Sequence, residues 1–157
     1  MFAMVGNGAD WSKRYSRIIE EASRIKFNAI MDAEVVCLDK KGVPNFDTLH
    51  GRRADSSAVA CAFDLLMFDG DDLPRQPLRQ RKLALQKLLI RYLGGIQYVE
   101  HSEGDGDRMF DSVCKLGLEG IVSKRLTSVY KSGPSKAWIK VKNPMAAAAT
   151  RAVDGTF

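Results

Sequence analysis

Val59-Ala60-Cys61-Ala62-Phe63-Asp64-Leu65-Leu66-Met67-Phe68-Asp69-Gly70 reads as one strand closed by a turn dipeptide, and it decides the fold. Its neighbours carry the same signal. Ile30 to Leu38 is a β-rich run broken by the turn Asp39-Lys40-Lys41-Gly42, and Ile96–Val99, Gly120–Arg125 and Ala137–Lys142 are shorter candidate strands, the last halted by Pro144. Three helices are expected between them. Trp11, Tyr15, Ile18, Ile19, Ala22 and Ile25 form one apolar stripe of about four turns after an Asp10 N-cap. Leu78, Leu85, Leu89 and Tyr92 form a second stripe, with Arg79, Arg81, Lys82 and Lys87 on its polar sides and Gly94-Gly95 as its stop. Asp107 to Leu116, closed by Gly117, is the third helix, and Glu103 to Asp107 is a polar turn leading to it. The strands alternate in polarity instead of running fully apolar, so the fold class expected is α+β: mixed, largely antiparallel sheets flanked by helices.

At 157 residues the chain is long enough to bury a core, and its 45% apolar and 27% charged residues are an ordinary globular balance. No apolar run approaches the roughly 18 residues of a membrane-spanning helix, and Met1 to Gly6 is too short for a signal peptide, so no membrane partner and a cytoplasmic location are expected. Cys37, Cys61 and Cys114 have no metal or redox spacing and read as reduced, small hydrophobes. The charge is unevenly spread. Gly120 to Val153 holds seven cations and no acid, which leaves 17 cations against 19 acids elsewhere, so the whole excess of +5 lies in one segment. Such a cluster attracts phosphate, in a nucleotide or a nucleic-acid backbone; a solvated basic tail has the same composition.

Four segments could carry chemistry. Asp32 and Glu34 share one strand face, opposite Ala33 and Val35, and suit a hydroxyl or metal role as well as a half-exposed edge. Phe63 lies among aliphatics and reads as core, or as a platform on which a nucleobase stacks. Glu119 immediately precedes the strand beginning at Gly120. Lys140 and Lys142 share a face opposite Ile139 and Val141; two ammonium groups at that spacing favour an anion between them, or simply guard a solvated edge. No Walker loop, GxGxxG or HExxH occurs, and His50 and His101 fit no triad.

In order, these segments resemble the motifs of ATP-dependent DNA ligases, most closely the bacterial end-joining type. Asn7-Gly8-Ala9-Asp10-Trp11 is similar to RNG-x-DW, Asp32-Ala33-Glu34 to DGE, and Ala62-Phe63-Asp64-Leu65-Leu66 through Asp69-Gly70 to FDLL-x-x-DG, with Pro77-Leu78 and Arg81-Lys82 at the family distance. Glu119-Gly120-Ile121-Val122-Ser123-Lys124 is similar to EGIVxK, and Trp138-Ile139-Lys140-Val141-Lys142 to WxKxK. The resemblance implies an ATP-grasp-like nucleotidyltransferase domain using ATP and Mg²⁺. It implies ribose or metal contact by Glu34, adenine stacking by Phe63, a position near the metal for Glu119, and α-phosphate binding and charge stabilisation by Lys140 and Lys142. Family members join a lysine to AMP, pass AMP to a DNA 5′-phosphate and seal the nick.

The departures matter as much. No Lys-x-Asp-Gly occurs; Lys13 falls on the expected first helix and Lys26 at its end. Ala33 replaces the family glycine, and Pro134 stands where Gly-Arg-Ser is usual. The expectation is therefore a partial adenylation domain over residues 1–144, with 145–157 a tail or the start of a linker to an OB-fold domain. Nicked or broken duplex DNA is the expected partner, with a second polypeptide able to supply the nucleophile and OB-fold. A non-catalytic nucleotide- or DNA-binding remnant and an RNA ligase or capping-type enzyme are the alternatives.

Overall fold

The computed structural model describes residues 8, 10–39, 42, 48, 57–91 and 94–146, which fall in two compact units, Met1–Glu100 and His101–Phe157. The first unit holds α1 (Ser16–Ser23), β1 (Ala29–Cys37), β2 (Ala58–Phe68), β3 (Asp71–Asp72), α2 (Leu78–Leu89) and β4 (Ile96–Tyr98). The second holds α3 (Gly106–Lys115), β5 (Gly120–Lys124) and β6 (Trp138–Lys142). Strand pairing is antiparallel for β1–β2, β2–β3 and β5–β6, and parallel for β2–β4. The α+β class with mixed, largely antiparallel sheets is thus the observed one.

In the first unit β2 is the central strand, with β1 on one side and β3 and β4 on the other. The pairing with β1 is not uniform. Met31 faces Leu65 while Ile30 faces Met67, and Asp32 faces Asp64 while Ala33 faces Ala62, so Leu66 and Phe63 are extra residues. These two bulges keep the core side in step. Ala29, Met31, Ala33, Val35 and Cys37 advance by two along β1, whereas their partners Ala58, Ala60, Ala62, Leu65 and Phe68 advance by two and then by three. Without the bulges the later half of β2 would turn its apolar residues to the wrong face. Asp69 (φ 50°) and Gly70 (φ 93°) form the two-residue link to β3, both in the positive-φ region that such a hairpin turn demands.

Helices α1 and α2 cover this face. Tyr15, Ile18, Ala22 and Ile25 from the first stripe, and Leu85 and Leu89 from the second, join Leu88, Ala58, Ala60, Ala62 and Leu65 in one buried cluster. Each fully buried aliphatic side chain contributes roughly 1.5–3 kcal/mol. The apolar stripe of the first helix holds, but the helix is shorter than its periodicity suggests. Residues 12–14 form a turn, Asp10 accepts the Ser12 N–H at 2.8 Å, and the helix itself starts only at Ser16. Asp10 therefore caps the turn and not α1. Tyr92, assigned above to the second stripe, lies outside the described residues, as do His50 and Asn7.

In the second unit Asp105 caps α3 by accepting the N–H groups of Asp107 at 3.1 Å and Arg108 at 3.2 Å, which gives the expected polar turn its purpose. Helix α3 packs on β5. Among the described residues no helix is long and apolar enough to cross a membrane.

Candidate functional site

Four carboxylate or thiol groups pair across β1–β2. Glu34 is exposed and faces Cys61, while Asp32 faces Asp64. The shared face expected for Asp32 and Glu34 is thus the observed one. Burial, then the Glu34 charge, pushes the Cys61 thiol above its ordinary value. Glu34→Gln should accordingly speed iodoacetamide alkylation of Cys61 at mildly alkaline pH, since removing the nearby negative charge favours the thiolate. Peptide mapping of the alkylated chain reads this directly, and an unchanged rate would mean that the two side chains do not face each other.

Phe63 is the extra residue of a bulge and only half-buried, so it is not the plain core residue its aliphatic surroundings suggest. Its neighbours explain how such an irregular backbone is held. Asp64 is fully buried and receives Arg81 Nε at 2.8 Å and Nη2 at 2.9 Å, with Arg81 itself fully buried. Arg81 Nη1 also donates to the Gln76 carbonyl. The next residue, Lys82, is 6% exposed; its Nζ donates to Val99 O at 3.0 Å and Phe63 O at 3.5 Å and lies 4.9 Å from the Tyr98 ring centroid. Burial lowers the Lys82 pKa, against a smaller opposing pull from Asp64. Arg81 and Lys82 were expected on the polar side of α2; they turn inward instead, because Asp64 and the bulge carbonyls need donors that the sheet does not supply.

In the second unit β6 sets Lys140 opposite Val122, Lys142 opposite Gly120 and Trp138 opposite Lys124, and cross-strand partners share a face. That face therefore carries three ammonium groups. Lys124 Nζ sits 3.9 Å over the Trp138 ring, which meets Tyr130 edge-on at 6.1 Å. Lys140 and Lys142 are exposed, and neither has a carboxylate partner among the described residues. Glu119 is exposed just before β5, with its carbonyl accepting the Asn143 N–H at 2.7 Å. Asn143 is buried; its Nδ2 donates to Leu118 O at 2.9 Å, and its Oδ1 accepts from Met145 N at 3.0 Å. This one asparagine, directly after Lys142, ties the end of β6 to the backbone of Leu118 and Glu119. Gly120 is fixed by close approach: at φ 149°, an added Cβ would lie 2.1 Å from Val141 O.

Glu34 and Phe63 thus lie in the first unit, and Glu119, Lys140 and Lys142 in the second. The supporting residues Asp64, Arg81, Lys82, Asn143 and Gly120 were not picked out from sequence as parts of a site, although a lone Asp in an apolar strand was a signal for a buried cation. Among the described residues no three His, Cys, Asp or Glu side chains gather as a metal group. Single exposed carboxylates such as Glu34 and Glu119 instead suit Mg²⁺, which binds through one or two carboxylates together with phosphate oxygens.

The mixed, largely antiparallel sheets flanked by helices make this an α+β protein, and comparison with solved structures gives its class. Over 87% of this chain and 46% of the other, the structure superimposes on the crystal structure of the ligase domain from M. tuberculosis LigD with a TM-score of 0.76 at 31% identity. A mycobacterial DNA ligase D complexed with ATP and MES matches 88% of this chain and 46% of that one, with a TM-score of 0.73 at 30% identity. The multifunctional non-homologous end joining protein LigD of Pseudomonas aeruginosa is 33% identical over 141 residues, covering 87% of this chain. The chain spans 17% of that relative's length. The family model described as ATP dependent DNA ligase domain matches residues 6–142. The chain belongs to the ATP-dependent DNA ligase family.

Proposed function

We propose that this chain is the ATP-binding part of a cytoplasmic DNA ligase acting with Mg²⁺ on nicked or broken duplex DNA. The observation that carries this reading is the face of β6, where Lys140 and Lys142 stand exposed without acidic partners among the described residues, in a segment free of carboxylates. Two fixed ammonium groups there hold an α-phosphate and offset the negative charge that builds on it during phosphoryl transfer. Phe63, held by the bulge that Lys82 fastens, stacks on adenine, and Glu34 contacts ribose or metal. Glu119, anchored through Asn143, sits near the metal. Bound Mg²⁺ supplies further neutralisation of the phosphate oxygens.

The nucleophile is a separate matter. No Lys-x-Asp-Gly occurs in the 157 residues. We propose that they bind ATP without accepting AMP covalently, the lysine being supplied from outside them, by further chain or a second polypeptide, together with an OB-fold.

The test is an equilibrium titration of ATP with Mg²⁺ into the chain and its variants. Lys140→Ala and Lys142→Ala should each weaken binding by about tenfold or more, the loss of one charge-assisted hydrogen bond of roughly 1.5–3 kcal/mol. Phe63→Ala should weaken it by a similar factor, since base stacking is worth about 1–3 kcal/mol. Curves that superimpose on wild type for both lysine variants would defeat the phosphate-holding role.

A further inference from the structure

A lysine that turns inward is costly, because its ammonium exchanges water for whatever the interior offers. Lys82 is 6% exposed, and its hydrogen bonds go to two main-chain carbonyls, Val99 O at 3.0 Å and Phe63 O at 3.5 Å. Both carbonyls lie where the parallel pairing of β2 with β4 gives out. Ala62 is paired with Tyr98, the last residue of β4, and Ala62 O accepts the Val99 N–H at 2.9 Å. Phe63 and Val99 are the next residues on the two chains. Lys82 therefore bridges them one step beyond the ladder, at the residue where β2 also bulges against β1. The Tyr98 ring, with its centroid 4.9 Å from Nζ, supports the ammonium there. The preceding helix residue makes the companion contact: Arg81 grips Asp64 through Nε at 2.8 Å and Nη2 at 2.9 Å. Consecutive cations of α2 thus hold consecutive residues of β2, and Phe63 is fastened both at its own carbonyl and at the residue that follows.

We propose that Lys82 is a positioning residue for the nucleobase: by tying the Phe63 carbonyl to Val99 it sets the direction of the Phe63 ring, and so governs affinity for the adenine of ATP without touching the nucleotide. The inference rests on the reading of Phe63 as the adenine platform and adds what fixes that platform. An anchor between helix and sheet placed elsewhere would serve stability alone. Three observations direct this one to the ring. Lys82 contacts the main chain of Phe63 itself. Phe63 is the extra residue of a bulge, where the ladder to β1 is locally disrupted. Its side chain is only half-buried, so packing by itself leaves the ring room to change rotamer. A ring that has to be ordered when the base arrives gives up part of its stacking free energy, whereas a ring already held keeps it.

The experiment is a double-mutant cycle on the full chain: wild type, Lys82→Met, Phe63→Ala and the double variant. Each is titrated with ATP and with inorganic tripolyphosphate in the presence of Mg²⁺, and its folding is checked by thermal unfolding. Lys82→Met keeps most of the aliphatic length and removes the ammonium. It should weaken ATP binding by about threefold or more, though by no more than Phe63→Ala does. It should leave tripolyphosphate affinity unchanged and have no further effect on ATP once Phe63 is replaced. A purely structural role would instead lower the affinity for both ligands in both backgrounds, and that result overturns the proposal. Wild-type ATP affinity in Lys82→Met beside a weakened Phe63→Ala also overturns it, and leaves the stacking reading standing. If Phe63→Ala binds ATP as the wild type does, or the wild type binds none, adenine stacking falls and the proposal falls with it. Lys82→Gln is carried through the same cycle in case the Met variant does not fold. Its shorter amide keeps one donor, so it should show a smaller ATP loss that is again absent beside Phe63→Ala; an equal loss in both backgrounds overturns the proposal.

Discussion

Arg81→Met is expected to destabilise the 1–100 unit by about 3–5 kcal/mol, the largest effect of any single substitution in the described residues. The substitution leaves the Asp64 carboxylate buried with neither of its Arg81 donors, and a buried charge without its partner is far more costly than the pair itself. Since natural domains hold only about 5–15 kcal/mol in all, this loss should appear as a sharply lowered denaturation midpoint or an unfolded chain at room temperature. The double variant Asp64→Leu/Arg81→Met separates the causes. Removing both charges should recover most of the stability, because a buried ion pair is replaceable by apolar groups of similar size. Urea denaturation of the three proteins measures this. Equal losses in the single and double variants would show that the guanidinium matters through packing and not through the carboxylate.

Gly120→Ala is expected to cost at least about 2 kcal/mol in the second unit. Two penalties coincide there: a backbone conformation that L side chains rarely adopt, and a Cβ driven to 2.1 Å from Val141 O. Relief requires β5 and β6 to part at the pair Gly120–Lys142, which displaces Lys142 and loosens the Asn143 N–H bond to the Glu119 carbonyl. ATP affinity should therefore fall along with stability, although the glycine has no side chain to contact a ligand. Hydrogen exchange at Asn143, compared with that in α3, reads the local opening. Protection equal to wild type would refute the close-approach argument.

The balance between what residue order reveals and what it hides follows from these particulars. Elements with a uniform period were legible: β1, the α1 stripe, β5 and β6 all lie where alternation or the helical repeat puts them. The extent of α1 was not, since Trp11 and Tyr15 continue its apolar stripe through a turn. Strand β3 escaped notice because two exposed acids carry no periodic signal, and only the pairing after Asp69-Gly70 makes them a strand. The inward course of Arg81 and Lys82 was hidden for a different reason. A helical wheel assigns cations to solvent, and it takes the register of β2 to show that Asp64 and the Phe63 carbonyl require donors from that helix. The two bulges lay equally out of reach, as each shifts the pairing by one residue while leaving the composition of β2 unchanged. The residues expected to touch a nucleotide were readable by motif; those that position them depend on three-dimensional neighbours.

The most direct test incubates the 157-residue chain with α-labelled ATP and Mg²⁺ and reads one sample twice, by native filter retention and by denaturing gel. Label held on the native filter but absent from the denatured band is the predicted result: the pocket binds nucleotide, and no lysine in these residues takes up AMP. A labelled band surviving denaturation would contradict the missing-nucleophile argument, and no retention on the native filter would contradict the nucleotide pocket itself.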